Sequence, residues 1–121
     1  MTWVLRVLTC ALALTGCGPD GSTARALTGG DPARGPRAIR HYGCGTCHVI
    51  PGVAAATSPV GPSLQGLGLR LYLAGRVANT PDQLIAWIRH PQAIEPGTVM
   101  PEMAVSDDDA RDIAAFLYTL R

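Results

Sequence analysis

The sequence lacks lysine entirely and is poor in aromatic residues. All ten basic residues are arginines, nine residues are acidic, and the formal net charge of +1 leaves no basic field with which to bind nucleic acid. The aromatic side chains are one phenylalanine, two tryptophans and three tyrosines. A chain of 121 residues is expected to form one domain. With so few large side chains, that domain has little of its own with which to build a core.

No hydrophobic run is long enough to span a bilayer, but a short one stands near the N-terminus. Residues 7–15 are apolar and follow one positive charge at Arg6. Residues 14–17 read Leu-Thr-Gly-Cys, which resembles a bacterial lipoprotein signal that is cut before a lipid-carrying cysteine. This predicts a signal peptide over residues 1–16, lipidation of Cys17 and export to the periplasmic face of a bacterial membrane. The alternatives are an ordinary secretory signal with an incidental Cys17, or an uncleaved anchor.

Glycine, serine and threonine are frequent over residues 17–30, where no apolar periodicity is visible. We interpret this stretch as the lipidated cysteine followed by a flexible tether, and residues 31–121 as the folded domain. Ten prolines and fourteen glycines predict that the domain consists of short helices joined by irregular segments.

Three main helices are predicted within this domain, so the fold class is all-α. Asp31 and Pro32 could cap a first helix, but Pro36 means that the regular helix begins at residues 35–36 or has a distorted first turn. A second helix starts at Thr80 and stops at Pro91. The third is capped by Ser106, carries Asp107, Asp108 and Asp109 on its positive end, and continues to Leu120.

The few cysteines are arranged for a specific chemistry. Cys10 would leave with the signal peptide, which leaves Cys44 and Cys47 in the motif Cys44-Gly-Thr-Cys-His48. This C-x-x-C-H pattern is the attachment signature of a c-type haem, in which two thiols add to the vinyl groups and the histidine binds iron. The alternatives are a redox dithiol or half of a zinc site. Zinc needs further ligands, and only His90 follows downstream, where we expect it to be exposed.

Other residues could complete the surroundings of such a haem. A backbone carbonyl near Pro62 could accept a hydrogen bond from the His48 ring, unless this proline only makes a turn. Arg70 and Tyr72 could bind haem propionates, or could simply be solvated. Trp87 is either core or haem packing. Met100 and Met103 are both candidate thioether ligands, although methionine is usually apolar filler.

Taken in order, these motifs resemble those of the class I cytochromes c over residues 30–120. The resemblance is carried by the C-x-x-C-H at residues 44–48, by Gly-Pro-Ser-Leu at residues 61–64 and by Pro-Gly-Thr-Val-Met at residues 96–100. The positions where the family's first and last helices cross are matched by Gly30, Gly35, Ile39, Ile113 and Phe116. Pro36 is a departure, because it is unusual in the first helix of that family.

The resemblance implies three helices and loops wrapped around one covalent haem c. It implies that the Pro62 carbonyl accepts from His48, that Arg70 lies near a propionate, and that Trp87 packs by the axial methionine. Thr98 lies in the segment that presents Met100, and Met100 rather than Met103 becomes the sixth ligand.

The resemblance also implies a function, which is single-electron transfer through a His/Met-ligated haem, without catalysis and without a small-molecule substrate. A narrower similarity is to bacterial cytochrome domains associated with terminal oxidase subunits, so the expected partners are redox proteins of a membrane-associated respiratory chain. The alternatives are a haem enzyme or gas sensor whose sixth position opens, and a lipoprotein binding module without haem. Met100 in its Pro-Gly-Thr-Val-Met setting argues against an open position.

Overall fold

The structure is a computed structural model that describes residues 21–121. The predicted signal peptide, Cys17 and the start of the predicted tether lie outside the described residues. In chain order, the elements are helices α1 (Gly21–Thr28) and α2 (Gly35–His41), 3-10 turns at Cys44–Thr46 and Leu67–Leu69, strands β1 (Tyr72–Leu73) and β2 (Val77–Ala78), and helices α3 (Pro81–Arg89), α4 (Pro91–Ile94) and α5 (Asp107–Thr119).

Helix α5 is the element against which the others pack. Helices α1, α2 and α3 and the turn Leu67–Leu69 all contact it. The Ser106 hydroxyl caps its start by accepting a hydrogen bond from the Asp109 N–H, and three aspartates occupy the first turn. Ile113 and Leu117 are buried in the core that α5 shares with these neighbours. The predicted last helix is therefore confirmed, and it forms the centre of the fold.

Two glycines let the N-terminal part of the domain lie directly on α5. A Cβ atom added at Gly30 would clash with the backbone of Arg111 and Asp112. One added at Gly35 would clash with Phe116 and lie 2.7 Å from the Asp112 carbonyl oxygen. Only glycine permits backbones to approach this closely. The crossing of α2 and α5 is thus fixed by the absence of a side chain at these positions.

The structure shows where α2 begins relative to Pro36. The regular helix starts at Gly35, with Pro36 in its first turn, where the missing N–H has no helical partner to lose. Before it, the Arg34 N–H donates to the Asp31 carbonyl in a separate turn, at an N···O distance of 3.0 Å. Of the two alternatives that the sequence left open, the helix start at residues 35–36 is the one found.

Helix α1 differs from the prediction of a flexible tether through residue 30. Gly21–Thr28 is helical, and Ala24 and Thr28 are buried where α1 packs on α5 and α3. The Arg111 guanidinium donates to the Thr28 carbonyl over 3.1 Å. A short helix with one buried side chain per turn leaves almost no apolar periodicity, so the small polar residues of this stretch resembled a linker.

The remaining elements are α3, α4 and the two short strands. The Thr80 hydroxyl caps α3 by accepting from the Gln83 N–H, and α3 ends before Pro91, which begins the short helix α4. Strands β1 and β2 form a two-stranded antiparallel hairpin with two residues in each strand. The all-α prediction is confirmed, with this hairpin as the only sheet in the described part of the chain. None of the helices between residues 21 and 121 combines the length and the apolar character needed to cross a membrane.

Candidate functional site

An apolar cavity of about 360 Å³ lies between the C-x-x-C-H turn, the loop before α5 and the core faces of α2, α3 and α5. Its walls are mainly aliphatic and include Ile39, Ile50, Leu67, Leu84, Ile113 and Leu117. Among the residues that line it, Arg70 carries the only permanent charge. A small domain with few aromatic residues thus keeps a large apolar space inside its core.

The C-x-x-C-H residues form a tight turn on one wall of this cavity. Cys44–Thr46 is a 3-10 turn preceded by Gly43 in the left-handed conformation, at a φ of 71°. The His48 N–H donates to the Cys44 carbonyl over 3.1 Å. Both thiols are free, partly buried and part of the cavity lining, and burial raises the pKa of Cys44. The fold therefore presents two thiols and one imidazole to the same space.

His48 is held in place by the predicted partner. Its Nδ1 lies 2.7 Å from the Pro62 carbonyl oxygen, and the Gly61 N–H donates to the Cys47 carbonyl over 2.6 Å. A Cβ at Gly61 would lie 2.7 Å from His48 Cε1, so only glycine lets this segment pass so close to the ring. Because Nδ1 donates to the carbonyl, Nε2 is the ring nitrogen left for a metal.

Both candidate methionines line the cavity, together with Thr98. The Met100 N–H donates to the Thr98 hydroxyl over 3.2 Å, which gives this short segment a fixed conformation. Val99, between them, is 96% exposed. Met103 is 39% exposed, whereas Met100 is less accessible. The structure therefore gathers both thioethers around the space that the His48 imidazole also faces.

The other predicted site residues divide into two groups. Arg70 and Trp87 line the cavity, as expected for a haem environment. Tyr72 does not belong to the lining, because its side chain is 60% exposed on strand β1. His90 is exposed as predicted, with its Nδ1 3.7 Å from a Glu102 carboxylate oxygen.

Sequence reasoning missed a polar cluster behind Arg70. The Tyr118 hydroxyl donates to the Asn79 side-chain oxygen over 3.0 Å, and the Asn79 amide donates to the carbonyls of Leu67 and Arg70. Tyr118 lies 39 residues from Asn79 along the chain. No local pattern in the sequence reports such a pair.

The donor set and the walls of the cavity fit a haem. Two thiols suit thioether attachment, an imidazole and a thioether suit haem iron, and aliphatic walls suit a flat apolar ring. A guanidinium at the edge suits carboxylates. Across residues 21–121, no group of three or more His, Cys, Asp and Glu side chains is arranged to hold a metal ion in another way.

Comparison with known proteins gives three matches. The family model for cytochrome c matches residues 32–121. The chain is 33% identical over 89 residues to cytochrome c oxidase subunit 2 of Alkalihalophilus pseudofirmus, a match that covers 73% of this chain and 25% of that protein. It is 36% identical over 105 residues to cytochrome c2 of Rhodopila globiformis, covering 76% of this chain and 95% of that protein. The chain therefore matches only about a quarter of the oxidase subunit but nearly the whole of the cytochrome c2.

Proposed function

The chain belongs to the cytochrome c family of electron carriers with a covalent haem c, and we propose that this apolar cavity supplies both the attachment and the two iron ligands. In this proposal Cys44 and Cys47 form the thioether links, and His48 and Met100 bind the iron. The chain is an electron carrier and not an enzyme. The haem supplies reversible one-electron exchange.

The observation that carries this proposal is the convergence of four groups on one cavity. The two thiols and the His48 imidazole come from one short segment, and the Met100 thioether comes from a segment more than fifty residues later. All four groups line the same cavity. The His48 Nδ1–H bond to the Pro62 carbonyl keeps the ring in one orientation and one tautomer, and it raises the basicity of the other nitrogen. The aliphatic walls exclude water, which favours the less charged, reduced state of the site.

The choice of Met100 over Met103 has its own support. Met100 follows Thr98, whose hydroxyl accepts from the Met100 N–H, so its backbone is held at the cavity. Met103 is more exposed and carries no such local bond in the described hydrogen-bond network. A preorganised ligand loses less conformational freedom when it binds.

The partners in this proposal are redox proteins of a respiratory membrane, with a terminal oxidase as one candidate. The similarity to an oxidase subunit supports that candidate. A lipid on Cys17 would keep the domain close to membrane partners and raise their effective concentration. Labelling with a radioactive fatty acid tests the anchor, since Cys17→Ser should remove all label while covalent haem is retained.

The ligand assignment is tested by two matched methionine variants. We expect Met100→Ala, made with covalent haem in place, to lose the low-spin spectrum and to lower the midpoint potential, because a thioether stabilises the ferrous state. Met103→Ala removes a comparable side chain from the same cavity and should retain both properties. The ligand assignment is wrong if Met103→Ala changes the spectrum and Met100→Ala does not.

A further inference from the structure

Arg70 does more than line the cavity. One guanidinium nitrogen, Nη2, donates to the Ser63 carbonyl over 2.5 Å and to the Gln65 carbonyl over 3.0 Å. Ser63 directly follows Pro62, the acceptor for His48. The same side chain therefore touches the segment that orients the imidazole and supplies the only permanent charge of the cavity lining.

The backbone of Arg70 is held in turn by Asn79. The Asn79 side-chain amide donates to the Leu67 carbonyl over 2.9 Å and to the Arg70 carbonyl over 3.0 Å, and its backbone N–H donates to the Leu71 carbonyl over 2.9 Å. One residue thus satisfies three carbonyls of the turn that carries Arg70. Without these three hydrogen bonds, the backbone that carries the Arg70 guanidinium would be held less firmly.

Tyr118 fixes the orientation of that amide from helix α5. Its hydroxyl donates to Asn79 Oδ1 over 3.0 Å, which forces the amide nitrogen towards the turn. Burial raises the pKa of Tyr118, so the hydroxyl keeps its proton at neutral pH. The end of α5 touches the same turn, because the Gly68 N–H donates to the Leu120 carbonyl over 3.0 Å.

From this chain of contacts we infer that Asn79 and Tyr118 are positioning residues that hold the Arg70 guanidinium at the cavity and thereby set the haem potential through its charge. The inference rests on the proposed function, in which the cavity holds the haem. A fixed positive charge beside the haem stabilises the ferrous state, because reduction removes one positive charge from the iron. Arg70 is exposed at the rim of the cavity, so its bonds to the Ser63 and Gln65 carbonyls are what keep the guanidinium near the haem. If it moved further into solvent, its charge would be screened more and would have a smaller effect.

The experiment compares midpoint potentials of holoproteins in a double-mutant cycle. Arg70→Gln should shift the ferrous-to-ferric ratio at a given electrode potential about tenfold towards the ferric state, which corresponds to about 59 mV for a one-electron couple. Tyr118→Phe, which removes only a hydroxyl, should shift it in the same direction by about threefold. In the Arg70→Gln background, Tyr118→Phe should cause no further shift, because there is no charge left to position.

Tyr42→Phe is the matched control for the loss of a tyrosine hydroxyl. The Tyr42 hydroxyl donates to the Asp109 carboxylate over 2.8 Å, so this variant also removes a bond to α5, but away from the turn that carries Arg70. Its midpoint potential should equal that of the wild type. Thermal unfolding of every variant records the stability cost separately, and that cost should persist in the Arg70→Gln background.

Three results would overturn the inference. One is an unchanged potential in Tyr118→Phe when Arg70→Gln does shift it. Another is an equal shift from Tyr118→Phe in both backgrounds, which would mean that the hydroxyl does not act through Arg70. The third is a shift of the same size in Tyr42→Phe. Failure of the proposed function has a different signature, because a protein without covalent haem gives no potential in any variant.

Discussion

The side chain of Asp112 joins the N-terminal part of the domain to helix α5. Asp112, on α5, is almost fully buried and accepts a hydrogen bond from the Asp31 N–H over 2.6 Å and two from the Arg34 guanidinium over 2.7 and 3.0 Å. The bond from Arg34 is the main reason that the pKa of Asp112 lies below its usual range, against the opposing effect of burial. A carboxylate that is stabilised in the folded state contributes to stability only while it is ionised.

The lowered pKa of Asp112 predicts that the protein loses stability in acid. Because the folded-state pKa is depressed, the contribution of Asp112 is complete above its unfolded pKa of about 3.9 and is lost as the pH falls through the folded pKa. Asp112→Asn should therefore lower the melting temperature at pH 7, and the difference from wild type should shrink below about pH 4. Melting curves from pH 7 to pH 3 measure this. Glu102→Gln, at an exposed acid outside the helices, should follow the wild-type profile. A difference for Asp112→Asn that stays constant with pH would contradict the account.

Residues were predictable from the sequence where their chemistry is local. Cys44, Cys47 and His48 lie within five residues, and Pro62 follows Gly61 in a short motif, so local sequence is enough to predict them. The hydroxyl of Tyr72 favours a place in the haem environment, but in the structure this side chain on β1 is exposed and does not line the cavity. The sequence does not specify the direction in which a loop side chain points.

Among the secondary-structure elements, helix α1 shows that the folded domain begins before residue 31. Residues 21–28 pack through Ala24, which is 0% exposed, and Thr28, which is 2% exposed. Arg25 forms an ion pair with Asp31 across the turn that leads to α2, at 2.7 Å. The sequence predicted α3 and α5 well, because each has a capping residue and at least one acid in its first turn, and α3 also has a stop at Pro91. Helix α1 is preceded in the sequence by Asp20 and followed by Gly29, which has a φ of 72° and donates its N–H to the Arg25 carbonyl. These signals flank a short stretch of small and polar residues, so its packing on α5 and α3 is what identifies it as part of the domain.

Replacing each of two alanines of α1 by aspartate tests whether this helix belongs to the folded domain. Ala24→Asp places a charge in the contact with α5 and should reduce the free energy of unfolding by about 2–4 kcal/mol. Ala26→Asp makes the same change on the exposed face of the same helix and should cost less than about 0.5 kcal/mol. Denaturant unfolding of both variants gives the difference. Equal, small effects would mean that this stretch is a tether after all.

For the molecule as a whole, most charged side chains lie away from the cavity. The exposed aliphatic residues Val60 and Val99 line the cavity, and Leu69 and Leu71 flank Arg70 in the sequence, so the mouth of the cavity is apolar apart from the Arg70 guanidinium. Most charged side chains belong to α1, α2, α3 and α5, outside the cavity lining. Family membership and the mostly helical fold were both predictable from the order of the motifs, and both are confirmed. The apolar character of the cavity mouth was not predictable, because it depends on which loop residues point outward.

The small number of charges at the cavity mouth predicts an electron self-exchange rate that depends little on salt. Between low and physiological ionic strength, we expect the rate to change by less than about twofold, because few charges are available to be screened. Val99→Lys should slow self-exchange several-fold at low salt through repulsion between two like charges, and added salt should restore it. Leu27→Lys, on the exposed face of α1 and outside the cavity lining, is the control. Broadening of NMR lines in mixtures of oxidised and reduced protein measures the rate. Equal slowing in both variants would contradict the prediction that electrons exchange at the mouth of the cavity.

The central claim is that Cys44 and Cys47 attach one haem in this cavity, and the intact mass of the denatured protein tests it most directly. The protein should be made together with the haem-attachment machinery. The account predicts the mass of the polypeptide plus one haem, and loss of that added mass in a Cys44→Ala, Cys47→Ala double variant. A wild-type chain that emerges colourless, with no haem mass added to it, would contradict it.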